Sequence, residues 1–398
     1  MRRSLFGYGK TTKAISKSGG WDIYDDSFKD DSLDEFGNRL LNPSKFKAQN
    51  SSLEIPSPGF PRNHALVKSA LNLISEYDYF INDTPKSIWI SGTNGKTTTT
   101  KMTEWLLEDR GCVMGGNVGT PLADLLNLKA KVWVLETSSF TIHYTKFAKP
   151  DIYVLLPITP DHLSWHGSME EYEKAKLKPL SMMREGSVAI IPKKYADISS
   201  CAKIIGYESE EDLASQFDID LSNISFKTPF LIDALLALCV ENIIFSKVSY
   251  ELLNKFQIEA HKLEEFRDRL GRLWVDDTKA TNIDAALQAL KRYKNDKLHI
   301  ILGGDDKGVS LDPLFDELRG MSATIYAIGS NAGKIVFLAD KFGIKCINCE
   351  FLNKAVENIN TVMKIDEIGL LSPACASLDQ FKSYAERGDM FKKYVNSL

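Results

Sequence analysis

The chain has no apolar run long enough to cross a bilayer: the longest, Ala234 to Val240, has seven residues, against the roughly 20 that a spanning helix needs. Cysteine is scarce, with six residues at 112, 201, 239, 346, 349 and 375. That scatter has none of the density of a secreted disulfide scaffold and points to a reducing cytoplasm. Cys346-Ile-Asn-Cys349 has no second pair and no nearby histidine, so it marks neither a zinc site nor a redox centre. Charge of one sign is also missing. A formal net charge of −4 gives no electrostatic argument for nucleic acid or an anionic membrane, so neither is expected as a partner. Arg2-Arg3 is followed by Gly7, Gly9 and Lys10 rather than by an apolar segment, so no secretion signal is expected. Internal repeats and low-complexity tracts are absent.

What remains is the composition of a globular protein, 43% hydrophobic and 26% charged over 398 residues, a length that suits two to three domains of about 150 residues each. Its most informative segment is Ile88-Trp-Ile-Ser-Gly-Thr-Asn-Gly-Lys-Thr-Thr-Thr99, a β-branched strand that enters a Gly-Lys-Thr turn and then a helix. Gly92 and Gly95 permit close backbone approach, so successive N–H groups and the helix dipole can face phosphate oxygens. Lys96 would reach the β/γ-phosphates and Thr97 would sit on Mg²⁺. The loop is shorter than the general P-loop, because Ile90 stands where its first glycine would fall. Met102, Trp105 and Leu106 give the following helix its buried stripe, and Gly111 suits its C-terminal cap.

Three blocks divide the chain, and together they predict an α/β protein. Residues 1–85 open with strand Ser4-Leu-Phe6, the turn Gly7-Tyr-Gly9, a helix and a strand ending in Asp25-Asp26; this is half of a dinucleotide fold with Thr12 in place of the third glycine. Residues 86–258 form a P-loop domain whose strands alternate with helices, which argues a largely parallel sheet. Residues 259–398 repeat βα units and predict a doubly wound, Rossmann-like domain with ligands at the carboxyl ends of its strands. There Ile283, Ala286, Leu287 and Leu290 share a helix stripe.

Several polar residues fall at predicted strand ends. Glu136 closes Val132-Trp-Val-Leu-Glu136 and should emerge at the edge from which the P-loop leaves, where a carboxylate can ligate Mg²⁺. His162 lies just beyond the strand 151–156, with His166 four residues on and no third ligand evident for zinc. Lys176, in Tyr172-Glu-Lys-Ala-Lys176, reads by itself as part of a solvated basic helix face. In Asp276-Asp-Thr-Lys-Ala-Thr-Asn282, Asp277 offers an acceptor, Lys279 a cation and Thr281 a capping hydroxyl, a mixture suited to ribose, phosphate and carboxylate. Gly303-Gly-Asp-Asp-Lys-Gly308 offers Lys307. Ser377 and Gln380 read as a capping box opening a helix, with Leu378 and Phe381 as core behind it.

Taken together, Ser91-Gly-Thr-Asn-Gly-Lys-Thr-Thr98, Gly116-Asn-Val-Gly119, Glu136-Thr-Ser-Ser139, Asp161-His162, Tyr172 through Lys176, Asp277-Thr-Lys-Ala-Thr-Asn282, Leu302-Gly-Gly-Asp305 and Leu370-Leu-Ser-Pro-Ala-Cys-Ala-Ser-Leu-Asp-Gln-Phe381 resemble the Mur ligase family of bacterial cell-wall synthesis. The last segment and the D-T-K-A-T-N run resemble its D-glutamate-adding branch. The resemblance implies three domains: a Rossmann-like UDP-binding domain, a central P-loop ATPase domain and a C-terminal amino-acid-binding domain. It implies that ATP phosphorylates the carboxylate of UDP-N-acetylmuramoyl-L-alanine, after which the D-glutamate amine displaces phosphate. Such catalysis is positioning plus charge neutralisation, and it fits a chain with no evident Ser-His pair.

By the same resemblance, Gly92, Thr93, Asn94, Gly95, Lys96, Thr97, Thr98, Asp277 and Lys279 contact ATP. Two Mg²⁺ ions are implied, one on Thr97 and Glu136, the other on His162 and a carbamate of Lys176; Lys96, Lys176, His162 and Lys279 are the implied catalytic residues. Gly7, Gly9, Thr11, Thr12, Asn117, Ser138 and His261 would hold the UDP-linked substrate. Thr281, Lys307, Ser377, Leu378 and Tyr384 would surround D-glutamate. The implied enzyme is a cytoplasmic monomer acting on small molecules. Two departures stand out: the family's His-Asn-x-x-Asn adenine segment is Pro229-Phe-Leu-Ile-Asp233 here, and Lys262 follows His261 where arginine is usual. The competing readings are a folylpolyglutamate synthase-like ligase and a non-catalytic P-loop nucleotide-binding protein.

Overall fold

The computed structural model describes residues 1–306 and 308–398. It divides into two compact units, Met1–Phe256 and Gln257–Leu398. Lys307, expected near the amino acid, lies outside the described residues. Three sheets carry the α/β architecture, two in the first unit and one in the second.

The first sheet comprises β1 (Arg2–Phe6), β2 (Trp21–Tyr24), β3 (Ser32–Leu33), β4 (Arg39–Leu41) and β5 (Ser51–Pro56), in the order β3-β4-β2-β1-β5. All its pairings are parallel except β3 with β4. Leu5, Phe6, Trp21 and Ile23 are fully buried, as strands covered on both faces require. At the carboxyl end of β1 the chain turns at Gly7, whose φ of +80° suits glycine. Thr12 Oγ1 donates to Gly7 O at 2.8 Å, so a hydroxyl fastens the helix Lys10–Ser16 to the loop where a dinucleotide fold has glycine.

The second sheet is wholly parallel: β6 (Lys86–Ser91), β7 (Cys112–Gly116), β8 (Val132–Glu136), β9 (Ile152–Leu155), β10 (Val188–Pro192) and β11 (Lys203–Tyr207), in the order β11-β10-β9-β6-β8-β7. The winding reverses at β6, with β8 on one side and β9 on the other. The crevice at its carboxyl end is therefore where such sheets take ligands. A core containing Trp21, Tyr77, Trp89, Leu125 and Tyr153 joins the two sheets of this unit. Met102 and Leu106 are buried as the helical spacing predicts, but Trp105 is 37% exposed and its indole donates to Leu252 O at 2.8 Å.

The second unit orders β12 (Glu264–Arg267), β13 (Leu273–Asp276), β14 (Leu298–Gly303), β15 (Ala323–Ile328), β16 (Cys346–Glu350) and β17 (Ile368–Leu371) as β12-β13-β17-β14-β15-β16. Only the edge strand β12 runs antiparallel. Gly369 passes under the buried Trp274 so closely that a Cβ there would stand 2.4 Å from the ring.

Local expectations fail here in four places. Ser377 and Gln380 open a single turn, with Gln380 and Phe381 N–H groups donating to Ser377 O. The helix begins at Tyr384, where Ser383 accepts from Glu386 N and Glu386 reaches back to Lys382 N. Leu378 is 71% exposed rather than core. Asn282, not Thr281, caps the helix Ile283–Arg292, because its Oδ1 accepts from Ala285 N at 2.9 Å. The buried stripe of that helix is Ala286, Ala289 and Leu290.

At the amino end of this sheet the Glu367 carboxylate accepts from His299 Nε2 at 2.8 Å and from Lys297 Nζ at 2.7 Å. Burial works against its ionised form, but these bonds outweigh burial and bring its pKa from 4.5 down to about 2. A depressed carboxyl stabilises the fold above its unfolded pKa and loses that contribution as pH falls through the folded value. Stability of the wild type should therefore fall between pH 4.5 and 2, and Glu367→Gln should flatten that slope in denaturant titrations. An unchanged slope would show that the clamp does not titrate with folding.

Candidate active site

The P-loop is shaped by two contacts that leave no room for side chains. At Gly92 (φ +141°) a Cβ would sit 2.5 Å from Leu156 Cβ, and at Gly95 (φ +81°) 2.3 Å from Asp233 Oδ1. Thr93 ties the loop to the segment beyond β9: its Oγ1 donates to Thr159 O at 3.0 Å, accepts from Thr159 N at 2.9 Å and lies 3.1 Å from Tyr172 OH. Lys96 Nζ folds back to Thr93 O at 2.6 Å. Asn94 and Thr97 are half-buried and Thr98 is buried in the first turn of the helix Lys96–Leu107. Asp233, in the segment that departs from the family's adenine motif, accepts from Thr99 Oγ1 at 2.9 Å and so braces the P-loop helix.

Glu136 leaves β8 buried beside this loop. Thr97 Oγ1 donates to its Oε2, and Asn117 Nδ2 to its Oε1, both at 2.7 Å. Threonine hydroxyl and carboxylate oxygens at this separation are the hard-oxygen donors that Mg²⁺ takes. Ser138 is used as the cap of the helix Ser139–Tyr144, its Oγ accepting from Thr141 N at 3.0 Å.

Lys176 is not the solvated lysine its local sequence suggests. It is fully buried, with Nζ donating to Gly92 O at 2.7 Å and standing 4.9 Å from the centre of the Tyr172 ring. Burial first, and the Lys96 ammonium second, hold its pKa well below the ordinary lysine value. His162, in a left-handed conformation (φ +52°), keeps its ring partly exposed beside Asp161, Phe140 and Tyr172.

The segment also contains a Ser-His pair that sequence reasoning missed: His166 Nε2 lies 2.9 Å from Ser139 Oγ. Both residues are buried and His166 Nδ1 has no partner to orient it, so the pair has neither the access nor the third member of a nucleophilic triad. Burial, then neighbouring cations, pushes His166 down to about 4 and keeps it neutral. Its only sequence signal is its place four residues after His162.

In the second unit the carboxyl ends of β13, β14 and β17 gather the remaining residues. Asp277 is buried, accepting from Ser372 Oγ at 2.7 Å and Leu263 N at 3.2 Å; burial raises its pKa to about 8. Lys279 Nζ is 3.8 Å from Glu259 and 5.3 Å from the centre of the Tyr384 ring. Thr281 is half-buried, Ser377 buried and Tyr384 exposed at its edge. His261 Nδ1 lies 2.7 Å from Asp276 Oδ2. His261, Glu264 and Asp276 have metal-like spacing, but Lys392 Nζ, 3.0 Å from Glu264, already supplies the cation.

Residues 90–223 match the Mur ligase middle domain. The fold is shared with a MurF ligase from Thermotoga maritima, solved with ADP, at a TM-score of 0.59 and 16% identity over 87% of this chain and 89% of that one. It is also shared with E. coli FolC, solved with DHPP and ADP, at 0.59 and 16% over 84% and 96%. Much nearer in sequence are two proteins named UDP-N-acetylmuramoylalanine--D-glutamate ligase. That of Campylobacter jejuni (strain RM1221) is 56% identical over 100% of both chains, and that of Helicobacter pylori (strain ATCC 700392 / 26695) 48% over 99% of both. The chain belongs to the Mur ligase family, within its UDP-N-acetylmuramoylalanine--D-glutamate ligase group.

Gly95→Ala should strain the loop and drive a methyl into Asp233. Calorimetric titration with a nonhydrolysable ATP analogue is expected to show binding weakened by more than about tenfold, ~1.4 kcal/mol, with the far-UV spectrum of the fold retained. Unaltered affinity would contradict the close approach.

Proposed function

We propose that this chain joins D-glutamate to UDP-N-acetylmuramoyl-L-alanine at the cost of ATP, through an acyl phosphate, as a cytoplasmic step in making peptidoglycan precursor. The reading rests on full-length similarity to proteins of that name, and the observation that carries its chemistry is the crevice at β6, where Lys96, the Thr97–Glu136 oxygen pair and buried Lys176 meet. A carboxylate is a poor acyl donor until it carries phosphate. This chain's part is to hold the phosphoryl group and neutralise it while the amine attacks.

In this proposal residues 1–85 take the UDP moiety, with Gly7, Gly9, Thr11 and Thr12 at the diphosphate. Residues 86–258 take ATP through Gly92 to Thr98, with Lys96 on the transferring phosphoryl; Asn117 and Ser138 face the sugar-linked substrate. Residues 259–398 supply Asp277 and Lys279 for ATP, His261 for the UDP-linked substrate, and Thr281, Lys307, Ser377, Leu378 and Tyr384 for D-glutamate. Thr97 and Glu136 would hold one Mg²⁺, and His162 with a carbamate of Lys176 the second. The ions would supply charge neutralisation of the phosphates. A low amine pKa leaves Lys176 as the free base, whose nitrogen lone pair adds to CO₂ and whose surplus proton passes to solvent, so that an anionic oxygen donor stands where an ammonium would repel the ion. The protein would work as a monomer, away from membranes and nucleic acid; no described helix is long and apolar enough to cross a membrane.

A bifunctional folylpolyglutamate synthase/dihydrofolate synthase from Yersinia pestis shares the fold alone, at 15% identity. A silent relative should have lost Lys96, Glu136 or His162, and all three are present.

Phosphate release with UDP-N-acetylmuramoyl-L-alanine and ATP should require D-glutamate; turnover with L-glutamate, L-alanine or meso-diaminopimelate to the same degree would overturn the assignment. Lys96→Ala should retain less than about a tenth of the activity, a loss above ~1.4 kcal/mol of transition-state stabilisation, while still binding the UDP-linked substrate. Lys176→Ala should lose activity by orders of magnitude and regain part of it with added acetate, whereas Lys174→Ala, on the exposed face of the same helix, should not change. Full activity of Lys176→Ala would remove the carbamate from the account.

A further inference from the structure

The loop after β5 lies across the glycine turn that follows β1. Ser57 N donates to Phe6 O at 2.8 Å, and a Cβ on Gly7 would meet Ser57 Oγ at 2.9 Å and the Phe60 ring at 3.0 Å. Tyr144 OH donates to Phe60 O at 2.8 Å, so the same loop is fastened to the helix that follows Glu136-Thr-Ser-Ser139. Two residues beyond Phe60, Arg62 extends over Gly167, where a Cβ would stand 2.6 Å from the guanidinium. Gly167 has φ +88°, so the position is glycine by conformation as well as by space.

The surroundings leave this guanidinium short of a counter-charge. Among the described residues its one ion-pair partner is Glu171, at 4.0 Å, beyond hydrogen-bond reach. The other titratable neighbours are His143, His166 and Tyr144. Burial holds both histidines neutral, an effect to which Arg62 adds, and it keeps the tyrosine protonated against the opposing pull of Arg62, so none of the three is an anion. Arg62 is one-third exposed, enough for a ligand to reach it. A planar fork of five N–H donors, packed on Gly167 and carried by the loop that crosses the Gly7 turn, matches the oxygens of a phosphate ester better than those of a neutral sugar.

We propose that Arg62 is a further substrate-binding residue, closing over the diphosphate of the UDP-linked substrate from the side opposite the Gly7–Thr12 turn. This rests on the reading that residues 1–85 take UDP. Neither Arg62 nor its loop carries a phosphate-binding sequence signature, and the placement appears only when Phe60 is seen against Gly7 and the Arg62 guanidinium against Gly167.

The test is calorimetric titration of the full chain with UDP alone, for wild type, Arg62→Ala and Arg62→Lys, at two salt concentrations. Arg62→Ala should bind UDP about tenfold more weakly, ~1.4 kcal/mol, with a shallower salt dependence, and Arg62→Lys should recover part of the loss. KM for the UDP-linked substrate should rise by the same factor, with KM for ATP and for D-glutamate unchanged. Equal UDP affinity in wild type and both variants would overturn the role of Arg62. Failure of wild type to bind UDP would instead overturn the reading of the first 85 residues. If Arg62→Ala does not fold, Arg62→Lys and a matched Arg62→Gln carry the same comparison.

Discussion

The site in the first unit depends on one interaction, the donation of Lys176 Nζ to the carbonyl of Gly92 beneath the P-loop. An ammonium in that position would be removed from water and would face Lys96 across the loop. Both effects favour the neutral amine, and a neutral amine midway along the helix Met169–Met182, which also presents Tyr172 to Thr93, is held ready for chemistry that a solvated lysine does poorly. The same bond fixes the loop carbonyl, so the backbone that would cradle phosphate and the lysine that would become a metal ligand are set by one contact.

Around it, close packing replaces motif. Leu156 packs against both Gly92 and Gly95, Asp233 packs against Gly95, and Thr99 donates a hydrogen bond to Asp233. The helix Phe230–Phe245, whose start departs from the family's adenine segment, thus braces the phosphate loop directly. In the proposed reading the departure from the adenine segment therefore bears on base recognition, while Asp233 of the same segment still supports the loop that would take phosphate.

Much of this was legible in the sequence because it is local. The strands 132–136 and 151–156, the P-loop and the parallel alternation of the second sheet follow from short apolar runs and glycine placement, and they stand where the pattern puts them. Failures came where a distant partner decided the outcome. Lys176 has the neighbours of a solvated helix face until β6 and β9 bring the P-loop over it. Ser377 has the spacing of a helix cap, but Asp379 is committed to Ser330 N and Gln380 to Glu350 O, and the next serine, Ser383, takes the cap instead. The Ser139–His166 pair needs two loops to meet, and no spacing announces it.

The most direct test of the account is ¹³C NMR of the protein in ¹³C-bicarbonate, comparing wild type with Lys176→Ala near neutral pH. The account predicts a carbamate carbon resonance in the wild type that is absent from the variant and grows as pH is raised toward the range where the buried amine is fully neutral. Identical spectra, with no carbamate signal at any pH at which the fold persists, would contradict it.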